Sequence, residues 1–486
     1  MPATGPPAPR PPRHCVVVGA GISGLAAAYQ LRQLRPDLRV TVLESAPVIG
    51  GKLAQADVAG LSVDTGAESV LNRRPEAVEL IRAVGLGVDL CHPATTAAAV
   101  WSHGRLRAMP TTVLGVPADL AGLARSRVLS RRGVGRAALE RLLPGGGPPD
   151  GDVAVGQLVG GRLGQEVVAR LLEPLLGGVY AGHAYRLSLL AAAPQVAALA
   201  ARGGSLLTAA TRTASERAAG PEVPVFAGIV GGIGRLPAAV AAVSGAEVRT
   251  SSTVRALRRT EGGWGVVVAG PRSAGSQPAE VEADAVVLAV PAAPAARLLE
   301  GVVPAAAAEL AAVETASVAV VSLAVPADAV GGRLAGSGFL VPPVEGRAVK
   351  AATWSSRKWG WVGEQAGPDT VLARVSFGRH GESEVLLRED AQLVRLAVAE
   401  LGDAVGLRGH PLDARVTRWG GSLPQYAVGH LDRVARIRRA VADSPHLDVC
   451  GATYDGIGIA ACVADGQRAA DRIVTGLPTD PDRQRQ

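Results

Sequence analysis

Along the chain, apolar runs of strand length alternate with segments of helical period. Cys15 to Val18 is one such run, and it leads into Gly19-Ala-Gly-Ile-Ser-Gly24. Ile22, Leu25, Ala26 and Tyr29 then recur at i, i+3, i+4 and i+7, the apolar face of a helix. Pro36-Asp37 breaks that helix, and Arg39 to Leu43 is a second apolar run closing on Glu44. Strand, helix and strand in about 30 residues make one βαβ unit. From about residue 93 to 220 the pattern turns mainly helical, rich in Ala, Leu and Arg and interrupted by Pro144-Gly-Gly-Gly-Pro-Pro149. Near Phe226 it reverts. Gly231-Gly-Ile-Gly-Arg235 opens a helix ending near Ser244, followed by strand-like runs at 247–249, 253–257, 264–268 and 285–290. Residues 315–430 read as strands plus a helix over 389–401. The run from Ser317 to Val325 stops at Pro326, too short to span a membrane. A last strand at 447–450 passes through Gly451-Ala-Thr-Tyr-Asp-Gly456 into a final helix over about 457–475. No internal repeat is visible.

Composition narrows the class. The chain has 486 residues, 48% of them hydrophobic, enough for several domains and a substantial core. Glycine, at 61 residues, is abundant but has no G-X-Y period, which excludes collagen; the apolar content excludes global disorder. Six Trp, five Tyr and three Phe are too few for the stacking platforms of a single-strand nucleic-acid binder. The net charge is +7, yet the arginines are scattered and form no basic run. There are only three lysines, Lys52, Lys350 and Lys358, so nearly all of the 50 basic residues are arginine, a bias that reads as genomic. Six prolines within Met1 to Arg13 predict a disordered leader and no signal peptide. The four cysteines show no CxxC spacing; two sit in apolar strand-like runs and read as buried thiols, and a cytoplasmic protein is expected. No metal-ligand cluster, HExxH motif or Ser-His-Asp set appears, and the eight histidines are dispersed.

Gly19, Gly21 and Gly24 carry the clearest chemistry. They follow a strand, open a helix, and precede by about twenty residues an acid that ends the next strand, the context a dinucleotide fingerprint requires. The tight turn needs Gly19, a pyrophosphate approaches the main chain at Gly21, and helix packs on strand at Gly24. Glu44 is placed to accept from an adenosine ribose hydroxyl. Gly50-Gly51-Lys52 and Asp64-Thr65-Gly66-Ala67 follow at once, and Lys52 adds charge. The second glycine-rich strand-to-helix turn, 451–459, points a helix N-terminus where reduced flavin would carry negative charge. Two such turns at opposite ends of the chain suggest one elongated cofactor. The absence of a second fingerprint for a nicotinamide favours an oxidase fed by its substrate.

These residues carry a resemblance. The stretch Val16 to Ala28, Val42-Leu-Glu44, Gly50-Gly-Lys52 and the closing 451–466 segment resemble the flavin amine-oxidase superfamily. Asp64 to Pro75, Glu173 to Gly182, Leu187-Ser188, Thr353 to Trp359, Arg418-Trp419 and Pro424 to His430 narrow it to the protoporphyrinogen/coproporphyrinogen III oxidases of haem synthesis. The likeness is greatest to the soluble Gram-positive type and runs from about residue 14 to 475. It implies an α/β fold: a Rossmann-like FAD-binding domain of the amine-oxidase type, an inserted α+β substrate domain and a helical subdomain. The expected division is a leader at 1–13; an FAD domain from 14–92, 221–300 and 431–475; a helical, membrane-binding-domain-like insertion at 93–220; a substrate domain at 301–430; and a tail at 476–486. The implied reaction is oxidation of coproporphyrinogen III to coproporphyrin III by dioxygen, releasing hydrogen peroxide. Implied partners are the porphyrinogen and, transiently, ferrochelatase or a membrane surface, with no nucleic acid and no metal. One departure stands out: after Tyr180-Ala-Gly182, where the family usually carries acidic residues, this chain has His183-Ala184-Tyr185.

The resemblance implies non-covalent FAD contacts at Gly19, Ala20, Gly21, Ile22, Ser23 and Gly24, at Glu44 and Ser45, and at Gly50, Gly51 and Lys52. Further contacts fall on Gly66, Ala67, Glu68 and Ser69, on Val254 and Trp419, and on Gly451, Tyr454, Gly456, Ile457, Gly458 and Ile459. Removing hydrogens from a macrocycle asks the protein to position substrate and exclude water more than to supply an acid or base, so no protein residue is expected to be catalytic. An apolar slot is expected from Phe339, Leu340, Val375 and Phe377. Glu68 and Ser69 are expected beside the substrate, and Arg73, Arg74, Arg186, Arg374 and Arg379 as partners of its propionates, since guanidinium suits carboxylate. Three alternatives stay open: protoporphyrinogen IX as substrate; an amine oxidase or carotenoid desaturase on the same scaffold; and a flavin-free binder like the GDP-dissociation inhibitors.

Overall fold

The computed structural model describes residues 13–142, 147–220, 223–269, 278–331 and 334–477. All of the expected leader but Arg13, residues 144–146 of the helix-breaking run and the tail from 478 onward lie outside the described residues.

Two sheets organise the molecule. The first has five parallel strands in the order Glu247–Arg249, Arg39–Leu43, His14–Val18, Ala285–Leu288 and Leu447–Val449. Successive side chains of a strand face opposite sides, and here both sides are covered, which is why these strands read as unbroken apolar runs. Cys15, Val17, Ala285 and Val287 pack against the first helix (Ile22–Leu34), the last helix (Ile459–Gly476) and the helix Leu236–Ser244. Val16, Val18, Val286 and Leu288 pack below, against Trp264 and Val266 of a three-stranded antiparallel sheet and against the helices Ala292–Leu299, Pro304–Ala311 and His430–Ala442. Residues 304–310 therefore belong to this layer, and the chain enters the second sheet only at Thr315. At the other end, Leu477 is 3% exposed in the upper core, so the ordered chain runs past the expected start of the tail.

The second sheet has seven strands, in the order Asp413–Pro424, Thr315–Pro326, Thr370–Phe377, Val349–Trp354, Gly338–Leu340, Ala99–Ser102 and Arg105–Ala108. One face is covered by the helix Asp390–Val405 through Leu393, Ala397 and Leu401. The last two strands come from the stretch expected to be helical. Ala99–Ser102 is buried at all four positions, so it shows none of the alternation that marks a strand. The rest of that stretch forms a helical layer with its own core, centred on Leu123, Val159, Leu163, Leu171 and Leu172.

Candidate functional site

Four turns meet above the C-terminal edge of the parallel sheet. Gly19 has φ +104, and a Cβ there would lie 2.6 Å from the Ala289 carbonyl oxygen. A Cβ on Gly24 would lie 1.9 Å from the Gly19 carbonyl, so the first helix presses directly on the turn it follows. Gly21 differs, because a Cβ there meets nothing within 4 Å. Its main chain borders open space at the helix N-terminus, which has no side-chain cap and no acidic residue in its first turn. The Gly50 N–H donates to Ala20 O (2.8 Å), Gly51 lies against Gly21, and the Ala67 N–H donates to Lys52 O (3.0 Å). A Cβ on Gly66 would sit 1.9 Å from that same Lys52 oxygen, so the 64–68 turn is pressed onto the 50–53 turn. The last helix, also uncapped at Gly458, closes the group.

Glu44 braces this arrangement. Its carboxylate accepts the N–H of Ala20 (2.8 Å), the N–H of Ala46 (2.8 Å) and the hydroxyl of Ser45 (3.3 Å). A carboxylate offers about four lone-pair sites, so a ribose hydroxyl can still be accepted. The Ser252 N–H donates to Glu44 O (2.7 Å), which brings the segment before Val254 alongside. Lys52 lies within the cluster, where burial lowers its pKa. Among the described residues it has no carboxylate at ion-pair distance. A part-buried ammonium with no carboxylate beside it among the described residues, and two uncapped helix N-termini, all call for a negatively charged ligand. Main chain at Gly21 and Gly458 faces open space where that ligand would approach. The residues present therefore fit a dinucleotide such as FAD.

Three residues expected at the cofactor put their side chains into the core. Ile22 and Ile459 are 6% and 7% exposed in the upper core, so only their main chain is left to the ligand. The Tyr454 ring is fully buried beneath the parallel sheet, with the Arg438 guanidinium over it. Of the contact expected at Tyr454, only the main chain is left available, since the ring anchors the turn from below. Ile457 packs toward the helical layer, and Ser23 is buried near Cys462. The Gly451 N–H donates to Asp465 (2.9 Å), a buried acid that also pairs with Arg438 and Arg468.

The seven-stranded sheet turns its other face toward this site, and part of that face, at Ala324 and Leu372, is covered by Val58, Val63, Trp359 and Val362. Register decides which side chains belong to that face. Val318, Val320 and Ser322 pair with Trp419, Thr417 and Arg415 on one side, and Val320 and Ser322 pair with Ser376 and Arg374 on the other. Ser376 and Arg374 pair in turn with Ala351 and Thr353, and Ala351 with Leu340. Phe339, Val375 and Phe377 have the opposite parity. They are 4%, 0% and 0% exposed in the core beneath Asp390–Val405. The slot expected from them is corrected accordingly. An unbulged strand cannot present residues 374 and 377 to the same side, and of the four proposed residues only Leu340 lies on the face of Arg374.

Charged groups close the site. The Glu68 carboxylate takes the Lys358 ammonium on one oxygen and Arg374 Nη1 (2.7 Å) on the other, while Arg374 Nη2 holds Gly66 O (2.5 Å). Burial opposes ionisation of Glu68, but the two cations prevail and hold its pKa down at about 2. Next to it, burial pushes Asp64 up to about 6, against the N–H donors of Gly234 (3.0 Å) and Ile233 (2.9 Å). Trp419 Nε1–H donates to Thr65 O (3.1 Å), tying the far edge of the sheet to the same turn. Glu68 and Arg374 are thus brought together but are spent on each other. Arg379 is 7% exposed, donates to the carbonyls of Val341, Arg347 and Val349, and faces Glu382, so it is a structural residue and not a propionate partner. Arg74 pairs with Glu76 at the surface, and Arg186 pairs with Glu314. Arg73 is exposed and, among the described residues, has no acidic partner. His183, in the departing tripeptide, places Nδ1 against Glu173 (3.1 Å) and Nε2 against His380 O (2.8 Å). The Glu173 bond raises its pKa, with burial opposing.

Lys358 and Asp64 lie in stretches that carry the resemblance, yet neither was expected to have a role. For Lys358 a signal existed: in a chain this rich in arginine, two of three lysines sit at the site. The third, Lys350, is 6% exposed, and burial beside Arg379 lowers it to about 7. Among the described residues no three His, Cys, Asp or Glu are grouped to hold a metal, and no helix is long and apolar enough to cross a membrane.

Known proteins resemble this chain over nearly its whole length. The family described as flavin containing amine oxidoreductase matches residues 22–474. Coproporphyrinogen III oxidase of Mycobacterium tuberculosis (strain H37Rv) is 38% identical, covering 96% of this chain and 98% of its own. The Bacillus subtilis (strain 168) protein of the same name is 30% identical over 96% and 98%. A crystal structure of an Exiguobacterium sp. 255-15 protein superposes with a TM-score of 0.83 at 29% identity, over 96% of this chain and 99% of that one.

Proposed function

The chain belongs to the family of flavin containing amine oxidoreductases, and from that premise we propose that it oxidises coproporphyrinogen III to coproporphyrin III in haem synthesis, with dioxygen as electron acceptor. The observation that carries this reading is likeness over nearly the whole length, 38% at 96% coverage, to relatives that bear the name coproporphyrinogen III oxidase. Aromatising the macrocycle removes six hydrogens, so one substrate and three dioxygens give one coproporphyrin and three hydrogen peroxides. FAD, when bound, supplies the two-electron acceptor that dioxygen regenerates.

The chain's own residues bind, orient and shield. The N–H groups at the starts of the first and last helices, with Lys52, hold the negative charge of the cofactor. Ser376, Ala351 and Thr353, small and part-exposed, lie together on the sheet face opposite, where this reading seats a broad planar substrate. Lys358, Arg374 and Glu68 together carry a net +1, a fixed and mildly positive floor for a substrate with four carboxylates. Arg73, with no acidic partner among the described residues, is the propionate partner this reading favours. Nothing at the site needs to act as acid or base, since the work is alignment and exclusion of water. Work in the cytoplasm, with transient contact to ferrochelatase or a membrane surface, belongs to the same proposal.

The test is direct. The purified protein should be yellow, with a flavin absorption spectrum, and in air it should turn coproporphyrinogen III into fluorescent coproporphyrin with peroxide and no added nicotinamide. Turnover confined to protoporphyrinogen IX, or to amines, would overturn the substrate assignment; a colourless protein that takes up no FAD would overturn the cofactor.

A further inference from the structure

Among the side chains that hold the turn at 451–458, Tyr426 bonds both of its limbs. Tyr426 follows the strand Asp413–Pro424 by two residues and is 1% exposed. Its hydroxyl donates to Ala452 O (2.7 Å) and accepts the N–H of Gly456 (2.8 Å), so one oxygen ties both limbs of the turn. The ring is itself fixed. It stacks on His430 with centroids 3.8 Å apart at 15°, and tilts against Tyr180 at 5.5 Å. His430 adds a bond from the same side, Nε2 to Tyr454 O at 3.0 Å. The main chain of Tyr426 is fastened to the helical layer, its carbonyl accepting the Ser188 N–H (2.7 Å), and Ala427 pairs with Leu187. A phenylalanine would fill the same volume and keep the stacking. What the hydroxyl adds is the position of the turn.

We propose that Tyr426 is a positioning residue. It sets how closely the Gly456 main chain and the N-terminus of the last helix approach the flavin, and thereby how strongly the reduced, negatively charged flavin is favoured over the oxidised form. The proposal rests on the reading of 451–458 as the flavin-edge turn. Tyr426 touches neither reacting group, and acts through the turn alone.

The experiment compares wild type, Tyr426→Phe and Tyr180→Phe as holoproteins, measuring the FAD dissociation constant by fluorescence titration, the midpoint potential of the bound flavin against a reference dye, and thermal unfolding. Losing hydrogen bonds of ordinary strength at Tyr426 should raise the FAD dissociation constant about three- to tenfold. It should also lower the preference for reduced flavin by about tenfold, a potential about 30 mV more negative for a two-electron couple. Tyr180→Phe, whose hydroxyl makes no bond to the turn, should leave the potential unmoved. A Tyr426→Phe protein with wild-type potential and only a lower unfolding temperature would overturn the proposal, leaving a structural role. Should that variant fail to fold, a ring-fluorinated tyrosine at 426 keeps the shape and changes donor strength; an unmoved potential there would be equally fatal. A wild type that binds no FAD would sink the cofactor reading itself, a result distinct from either.

Discussion

The two walls of the site are made of different material. The cofactor wall is main chain: tight turns at 19–24, 50–53, 64–68 and 451–458, fixed by carbonyl and N–H groups, by places where no Cβ fits, and from behind by side chains such as Glu44 and Tyr426. The opposite wall is side chain: one face of a seven-stranded sheet, whose character depends on which residues of each strand point in. A main-chain wall accepts a ligand whose identity is constant. A side-chain wall can be rewritten one residue at a time without moving the scaffold, which is how a shared fold can come to serve different substrates.

The sharpest way to break that contrast is within the first turn. Gly24→Val puts a side chain onto the Gly19 carbonyl, 1.9 Å away, and should abolish folding, seen as loss of soluble protein or of a cooperative melt. Gly21→Val projects into space with no protein atom within 4 Å, so the chain should fold with a near-normal melt and retain no flavin. If both variants behave alike, the turn is not the binding surface described.

On the sheet, Phe377→Ala removes a fully buried ring and should cost about 3–5 kcal/mol in denaturant titrations with KM unchanged. Leu340→Ala, on the opposite face, should do the reverse and raise KM at little cost in stability. A raised KM in the Phe377 variant would mean that the parity is misassigned.

Glu68→Gln should cost about 2 kcal/mol, below the range for wholly buried pairs because its partners keep some exposure. The pH dependence gives the sign. A carboxyl held low in the folded state contributes stability that is complete above its ordinary value of 4.5 and is lost as pH falls toward about 2. Wild type should therefore lose stability across that window, while the glutamine variant shows a flatter acid limb. Parallel acid limbs in the two proteins would remove Glu68 from the balance.

The smallest effect belongs to His183→Gln, at less than about 1 kcal/mol for a single part-buried pair. Because Glu173 raises the folded-state pKa of this histidine, its contribution is present below pH 6.5 and fades as pH climbs through the folded value. The variant and wild type should converge in stability at alkaline pH, and a gap that persists there would contradict the assignment.

What could be read from the chain follows the same division. The strand, turn and helix at 14–34 were legible because glycine spacing, a helical stripe and a terminal acid are all local. The partners of Glu68 were not, since Lys358 and Arg374 lie 290 and 306 residues away and only the folded sheets bring them in. Phe339 and Leu340 show a subtler loss: both are apolar neighbours on a three-residue strand, so nothing local says which faces the ligand. The alternation in Ala373, Arg374, Val375, Ser376 and Phe377 was present in the letters, however, and strand geometry alone separates Arg374 from Phe377.

The seating of the last helix on the first has a consequence in time. Gly466 lies so close to the first helix that a Cβ there would come within 2.2 Å of the Ser23 carbonyl, and the strand Leu447–Val449 completes the parallel sheet. The ribosome makes these contacts impossible until nearly the whole chain has emerged, tens of seconds after the fingerprint glycines at about 5–20 residues per second. Throughout that interval the newborn protein carries half a cradle, with a helix end and an apolar sheet edge unpaired. Cofactor capture should therefore be a late event of biogenesis, and a chain cut short before Leu447 should stay colourless.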